Sequence, residues 1–159
     1  MTNFEVKIFS YDEMYELLNR TDADNPTTVE PEIRYWRGLG HITYSRRDEH
    51  FFVVALEQLE AGVQKVVGVM EMQMANYALS KVYWLMSIGV APTYQKRGIA
   101  SAMCQKMCMA VKEKGFMLES STMTEQGEEF LKPALVRAVQ AVGTPVYFTQ
   151  EHWYTNGKR

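Results

Sequence analysis

The chain has 159 residues, 47% hydrophobic and 23% charged, with a formal net charge of −2. That size and balance fit one soluble globular domain, and the sequence pI of about 5.9 argues against a broad cationic footprint for nucleic acid. No apolar run approaches the roughly 18 residues of a membrane span. The opening MTNFEVKIFSYDE lacks the charged-then-apolar order of a signal peptide, so a cytoplasmic location is expected, with no membrane partner.

FEVKIFS (4–10) alternates apolar and polar residues and predicts a strand. Tyr11, Met14, Leu17 and Leu18 recur at helical spacing over 11–20, and the acidic, proline-bounded stretch 21–31 reads as a loop. Residues 32–45 start helix-like and turn irregular at Gly38 and Gly40. FFVVALEQL (51–59) and VVGVMEMQMA (66–75) read as strands of a hairpin around Gly62. On the second of these, strict alternation puts Val66, Gly68, Met70, Met72 and Met74 on one face and Val67, Val69, Glu71 and Gln73 on the other. KVYWLMSIGV (81–90) is apolar on both faces and reads as a long central strand that Pro92 stops.

From Gly98 to Lys114, residues Ile99, Met103, Met107, Ala110 and Val111 form one apolar helical stripe that ends at Lys114-Gly115. Cys104 and Cys108 share a face of that helix. Without clustered histidines they read as free thiols rather than metal ligands. FMLESSTM (116–123) is the next strand, and Thr122 with Glu125 has capping-box spacing. A stripe through Leu131, Leu135, Ala138, Val139 and Val142 predicts a further helix, with a kink or restart at Pro133. VYFTQ (146–150) is a last strand. The hairpins imply antiparallel pairing, and strand–helix–strand over 82–123 implies a parallel crossover. The fold class is therefore α/β (α+β): a mixed, mostly antiparallel sheet flanked by helices.

The junction of strand and helix at 88–101, IGVAPTYQKRGIAS, carries the chemistry. The first turn of a helix leaves backbone N–H groups without partners, and the helix dipole adds positive charge there. A phosphate fits such an end. Gly98 permits close backbone approach, Ala100 is small, Lys96 and Arg97 add charge and Gln95 can hydrogen-bond. A diphosphate cradle is one reading; an ordinary surface turn with solvated basic residues is the other.

Val90-Ala91-Pro92 followed by Gln95-Lys96-Arg97-Gly98-Ile99-Ala100 resembles the acetyl-CoA-binding motif of the GNAT superfamily of N-acetyltransferases. The order of elements around it is similar to that family over nearly the whole chain. The resemblance implies that the diphosphate of acetyl-CoA lies on the amides of Lys96, Arg97, Gly98, Ile99, Ala100 and Ser101. It implies further that the pantetheine arm pairs with the backbone of Ile88 and Val90. The acceptor is then a primary amine of a small molecule or protein. A backbone N–H, with Ile88 the candidate, would stabilise the oxyanion.

Glu71, on a face that begins with two valines, is the candidate general base, and Glu119 the reserve. The family often places a tyrosine in the helix after the fifth strand to protonate the leaving thiolate. This chain has Phe130 there. Ser87, Ser120, Ser121, Thr122 or Tyr154 are the hydroxyls left to replace it. That departure keeps a second reading open, a CoA-binding module without catalysis. A third, a toxin acetylating aminoacyl-tRNA, has the net charge against it.

His41, His50 and His152 are scattered without ligand spacing, so no metal is expected. Tyr35, Trp36 and Tyr44, and Trp153 with Tyr154, fall where the family has its acceptor pocket, and the carboxylates Asp22, Asp24, Glu30 and Glu32 carry charge that would attract a cationic amine. Core packing and solvated loop carboxylates are the ordinary readings of the same residues. Association into a homodimer stays open.

Overall fold

The alternating segment Phe4–Ser10 forms β1 and passes directly into α1, Tyr11–Asn19. Ser10 and Glu13 start that helix as a reciprocal cap. The Glu13 N–H donates to Ser10 Oγ at 3.1 Å, and the Ser10 N–H donates to Glu13 Oε1 at 2.9 Å. Two of the donors that every helix start leaves open are satisfied in this way. The computed structural model describes residues 3–19, 27–34, 50–77, 80–120 and 127–146. The expectations for Tyr35, Trp36, Tyr44, His41, the capping box at Thr122 and the segment 147–159 lie outside the described residues.

Beyond α1 come a short strand β2, Thr27–Val29, and a single turn α2, Pro31–Arg34. The hairpin β3, Phe51–Gln58, and β4, Gln64–Tyr77, turns through a short 3-10 turn in which Gly62 has a φ of 74°. Then follow β5, Ser80–Val90, α3, Ile99–Glu113, and β6, Met117–Ser120. Gly127–Leu131 is a π-helical turn that leads into α4, Lys132–Val142. Pro133 sits in the first turn of α4, where a missing N–H costs nothing, so the expected restart takes the form of a π-to-α junction.

Among the described residues the sheet has six strands, in the order β1-β3-β4-β5-β6 with β2 added beside β4. All neighbours are antiparallel except β2 with β4 and β5 with β6. The parallel β5–β6 pair is the crossover that the element order requires. β5 lies inside the sheet, between β4 and β6, as a strand apolar on both faces and covered on both sides does. β2 replaces part of the loop expected over 21–31. It pairs Thr27, Thr28 and Val29 with Gln64, Lys65 and Val66. It thereby occupies the edge of β4 beyond the point where β5 ends at Gly68↔Val90.

Two cores lie on opposite faces of the sheet. One packs Met70, Met72, Tyr83, Leu85 and Leu118 against Met103, Met107 and Val111 of α3 and Leu135 of α4. The other packs Val54, Leu56, Val66 and Val69 against Met14 and Leu17 of α1 and Ile33 of α2. Val66 and Val67 have exchanged the faces that strict alternation assigns them. The cause is a bulge: Ala55 pairs with Gly68 and Leu56 with Val66, so Val67 is an extra residue. Gly68 then lies directly under α3. A Cβ there would meet Met103 Sδ at 3.1 Å.

Candidate active site

A second bulge opens the sheet. Glu71 pairs with Ser87 and Met72 with Leu85, which leaves Met86 extra in β5. Among the described residues the last β5–β6 pair is Leu85↔Ser120. Ile88, Gly89 and Val90 of β5 border a groove of about 640 Å³. The direction of its backbone follows from alternation. The Ala91 N–H donates to Val67 O of β4 at 2.9 Å, so the groups of Gly89 face β4 and those of Ile88 and Val90 face the groove. Gln95 Nε2 donates to Val90 O at 3.0 Å, in keeping with that orientation, and occupies one of its acceptor positions.

The end of the groove is the start of α3. The first α3 bond outside the helix proper is Ala102 N–H to Gly98 O at 3.1 Å, so Ile99, Ala100 and Ser101 present amides with no intrahelical partner. Before them, Lys96 has a φ of 64° and Gly98 a φ of 80°, with Arg97 between them outside the positive-φ region. Alternating backbone hand over successive residues turns their N–H groups into one concavity, a form of anion nest. Lys96 adopts it although a Cβ makes it costly. Gly98 is free of that cost, and a Cβ built on it meets nothing within 4 Å. The space over Gly98 is open, as a bound diphosphate needs.

Gln95, Lys96, Gly98, Ile99, Ala100 and Ser101 all line the groove, together with Ile88 and Val90. Arg97 does not. Its guanidinium lies over the Tyr94 ring, 5.1 Å from the centroid. The second cation of the groove is Arg137 of α4, and the same wall carries Phe130, Leu131 and Ala134. Among the described lining residues the charged ones are Lys96 and Arg137, both cations. Tyr94, Gly89 and Arg137 are groove residues that the sequence reading missed. For Arg137 the available signal was a cation one turn after Ala134 on an otherwise apolar helix stripe. Phe130 is 60% exposed and faces the groove with a bare ring.

Glu71 lies elsewhere. It is 3% exposed, on the sheet face turned away from α3, and is absent from the groove lining. Gln73 Nε2 donates to its Oε2 at 2.8 Å, and Ser87 Oγ donates to its Oε1 at a long 3.4 Å. Ser87 is the residue before Ile88, so the carboxylate and the groove-facing backbone are one residue of β5 apart. Glu119 is also buried, at 7% exposure, and shares a rung with Trp84. Cys104 and Cys108 are free and buried in α3. Burial pushes the Cys104 thiol up to about 12 and the Cys108 thiol up to about 11. Among the described residues no group of His, Cys, Asp and Glu side chains is arranged to hold a metal ion. No described helix is long and apolar enough to cross a membrane.

The site is thus a groove in a mixed sheet beside a helix N-terminus, with backbone amides converging on it. A sequence model of the acetyltransferase (GNAT) family matches residues 11–127, and the chain belongs to that family; it is an acetyltransferase by class. Solved structures share the fold at low identity. The aminoglycoside N-acetyltransferase AAC(6')-Iy in complex with CoA is 14% identical with a TM-score of 0.50, over 95% of this chain and 97% of that one. Glucosamine-6-phosphate N-acetyltransferase from Arabidopsis thaliana is 13% identical with a TM-score of 0.51, over 83% and 90%. The aminoglycoside acetyltransferase meta-AAC0020 from an uncultured soil metagenomic sample, in complex with sisomicin, is 12% identical with a TM-score of 0.52, over 82% and 86%. A search of curated proteins returned no match.

Proposed function

We propose that the protein, as a single domain, transfers the acetyl group of acetyl-CoA to a primary amine. The observation that carries this is the nest of amides from Lys96 to Ser101 at the end of an open strand edge. Its amides and the Lys96 and Arg137 charges suit a diphosphate, and a groove of about 640 Å³ is within the range that holds a small ligand. The pantetheine arm runs along Ile88 and Val90, whose backbone groups are turned toward it. The thioester carbonyl accepts a hydrogen bond from the Ile88 N–H. That bond strengthens as the amine adds and the oxygen gains charge. The amine loses its proton toward Glu71, through Ser87 or a water, because the carboxylate is one strand away. The C–S bond breaks and the thiolate leaves.

An aminosugar belongs in the first panel of acceptors, because solved structures of the same fold carry names of aminosugar acetyltransferases. Phe130 offers the thiolate no proton, so a CoA-binding module without turnover is the reading to exclude. Thiol release from acetyl-CoA in the presence of the amine panel separates the two.

Gly98→Glu tests the groove itself. The added carboxylate would enter the open space over residue 98 and oppose the diphosphate, and residue 98 would also carry a Cβ at positive φ. Calorimetry with CoA should show binding nearly abolished. The far-UV spectrum should stay that of the parent, since the residue is exposed. Parental affinity in this variant means the loop is not the CoA site.

A further inference from the structure

Tyr94 takes no part in the chemistry just described, yet four elements meet on it. It ends the 3-10 turn Pro92–Tyr94 that joins β5 to the nest. Its hydroxyl donates to Glu57 Oε1 of β3 at 2.7 Å, a short bond to a charged acceptor. Its ring stands edge-on to Phe4 of β1, 6.2 Å between centroids. The Arg97 guanidinium rests over the ring at 5.1 Å. Lys65 of β4, whose charge acts on the Tyr94 hydroxyl, pairs with Glu30 at 3.1 Å. Glu57 is 9% exposed, so its carboxylate is held in place at the end of the sheet.

The nest needs such an anchor. Gln95, Lys96, Arg97 and Gly98 are all exposed, and Lys96 is in a backbone region that a residue with a Cβ avoids. An exposed loop relaxes out of such a conformation unless its surroundings over-determine it. Among the contacts that hold this loop are Gln95 Nε2 on Val90 O behind it, the Gln95 N–H on Pro92 O at 3.4 Å and Arg97 on Tyr94.

We propose that Tyr94 is a positioning residue for CoA: with its hydroxyl fixed by Glu57 and its ring carrying Arg97, it holds the Gln95–Gly98 loop with its amides turned into the groove before ligand arrives. This rests on the reading of the groove as the CoA site. Preorganisation of this kind raises affinity by lowering the ordering cost of binding. It concerns only the diphosphate end. The backbone edge of Ile88 and Val90, which would take the pantetheine arm, belongs to β5 and is held by β4.

The test compares CoA with pantetheine, which lacks the diphosphate, on the full chain by calorimetry. Tyr94→Phe keeps the ring under Arg97 and removes the hydroxyl. It should weaken CoA about three- to tenfold, the scale of one hydrogen bond to a charged acceptor that no longer holds the loop, and leave pantetheine unchanged. Glu57→Leu should do the same, and the double variant no more than either alone, because both remove one bond. Glu57→Gln keeps a carbonyl acceptor and should hold CoA within about twofold of the parent. Should Tyr94→Phe fail to fold, Glu57→Leu reads the same bond from its other end. Unchanged CoA affinity in Tyr94→Phe, or an equal loss for pantetheine, overturns the proposal. Loss of CoA binding in Gly98→Glu together with parental binding in Tyr94→Phe leaves the groove reading standing and removes only the role of Tyr94. Parental binding in Gly98→Glu removes both.

Discussion

At the scale of residues, what decides the site is which way each group faces. Ile88 and Val90 matter for their backbone groups, turned to the groove because Ala91 is turned to Val67. Lys96 matters for its amide as well as its charge, and its left-handed backbone costs about 1–2 kcal/mol relative to the ordinary helical hand. Glu71 is buried and held by Gln73, with Ser87 between it and the groove edge. If it is the base, Glu71→Gln should lower turnover by about 10²–10⁴-fold, the range of general base catalysis. CoA affinity should barely change, since Glu71 lines no part of the groove. The check is turnover with an identified acceptor, alongside CoA calorimetry. A parental rate across about pH 6 to 9 would move the role to a water chain or to Glu119.

At the scale of elements, two bulges shape the sheet, and each shifts a strand by one residue. The bulge at Val67 places Gly68 under α3, and the bulge at Met86 shifts the register of β5 on β4 by one residue just before the groove edge, after which pairing resumes to Gly68↔Val90. Close approach of α3 is what brings its N-terminus to the strand edge. Gly68→Val should therefore be felt in stability. Its side chain would press on Met103 Sδ, Ala55 Cβ and the Gly89 carbonyl, which lie 3.1, 3.4 and 3.4 Å from a Cβ at residue 68. Overpacking of this kind costs about 1–3 kcal/mol. Urea unfolding should show a lower midpoint at unchanged slope. A parental midpoint would mean that α3 is free to shift. At the other end of α3, Lys112 Nζ donates to Val142 O at 2.8 Å and Thr144 Oγ1 to Cys108 O at 2.9 Å, which fastens α3 to the end of α4. Both walls of the groove are thereby tied to one another.

At the scale of the whole molecule, the buried thiols and the Tyr94 network give stability a common alkaline limit. The thiols, ordinarily near 9.0, are raised by burial to about 12 for Cys104 and about 11 for Cys108. The hydrogen bond to Glu57 raises the Tyr94 phenol, and the hydrogen bond to Glu30 raises Lys65. In every case the folded chain keeps a proton that the unfolded chain gives up. Stability is then intact below pH about 9 and falls as pH rises above it, by up to about 1.4 kcal/mol per pH unit for each thiol. A melting series from pH 7 to about 11 should show that fall, and it should be shallower when Cys104 and Cys108 are both replaced by Ala. At pH about 8 the folded protein should resist a thiol reagent that modifies it readily in denaturant. Rapid labelling of the native chain would show that α3 opens more readily than its packing implies.

The sequence by itself determined the parts whose cause is local. The hairpin around Gly62, the stripe of α3, the crossover to β6 and the open amides at the start of α3 all rest on spacing, turn residues and helix-end chemistry within a few residues. Those causes survive in any tertiary setting. Tertiary structure decided the rest. β2 is three residues long and exists because β5 ends early and leaves an edge of β4 to pair with. Val66 and Val67 exchange faces because β3 and β4 pair with a bulge, which no alternation count along one strand contains. The sequence reading put the Arg97 charge in the cradle and did not single out Arg137, and only packing puts the first on the Tyr94 ring and the second in the groove. Tyr94 and Glu57 are 37 residues apart in the chain, and their bond depends on how β3 and the end of β5 are brought side by side. A property set by strand register or by contact between distant segments is a property of the assembled sheet, and it has no counterpart in the local pattern.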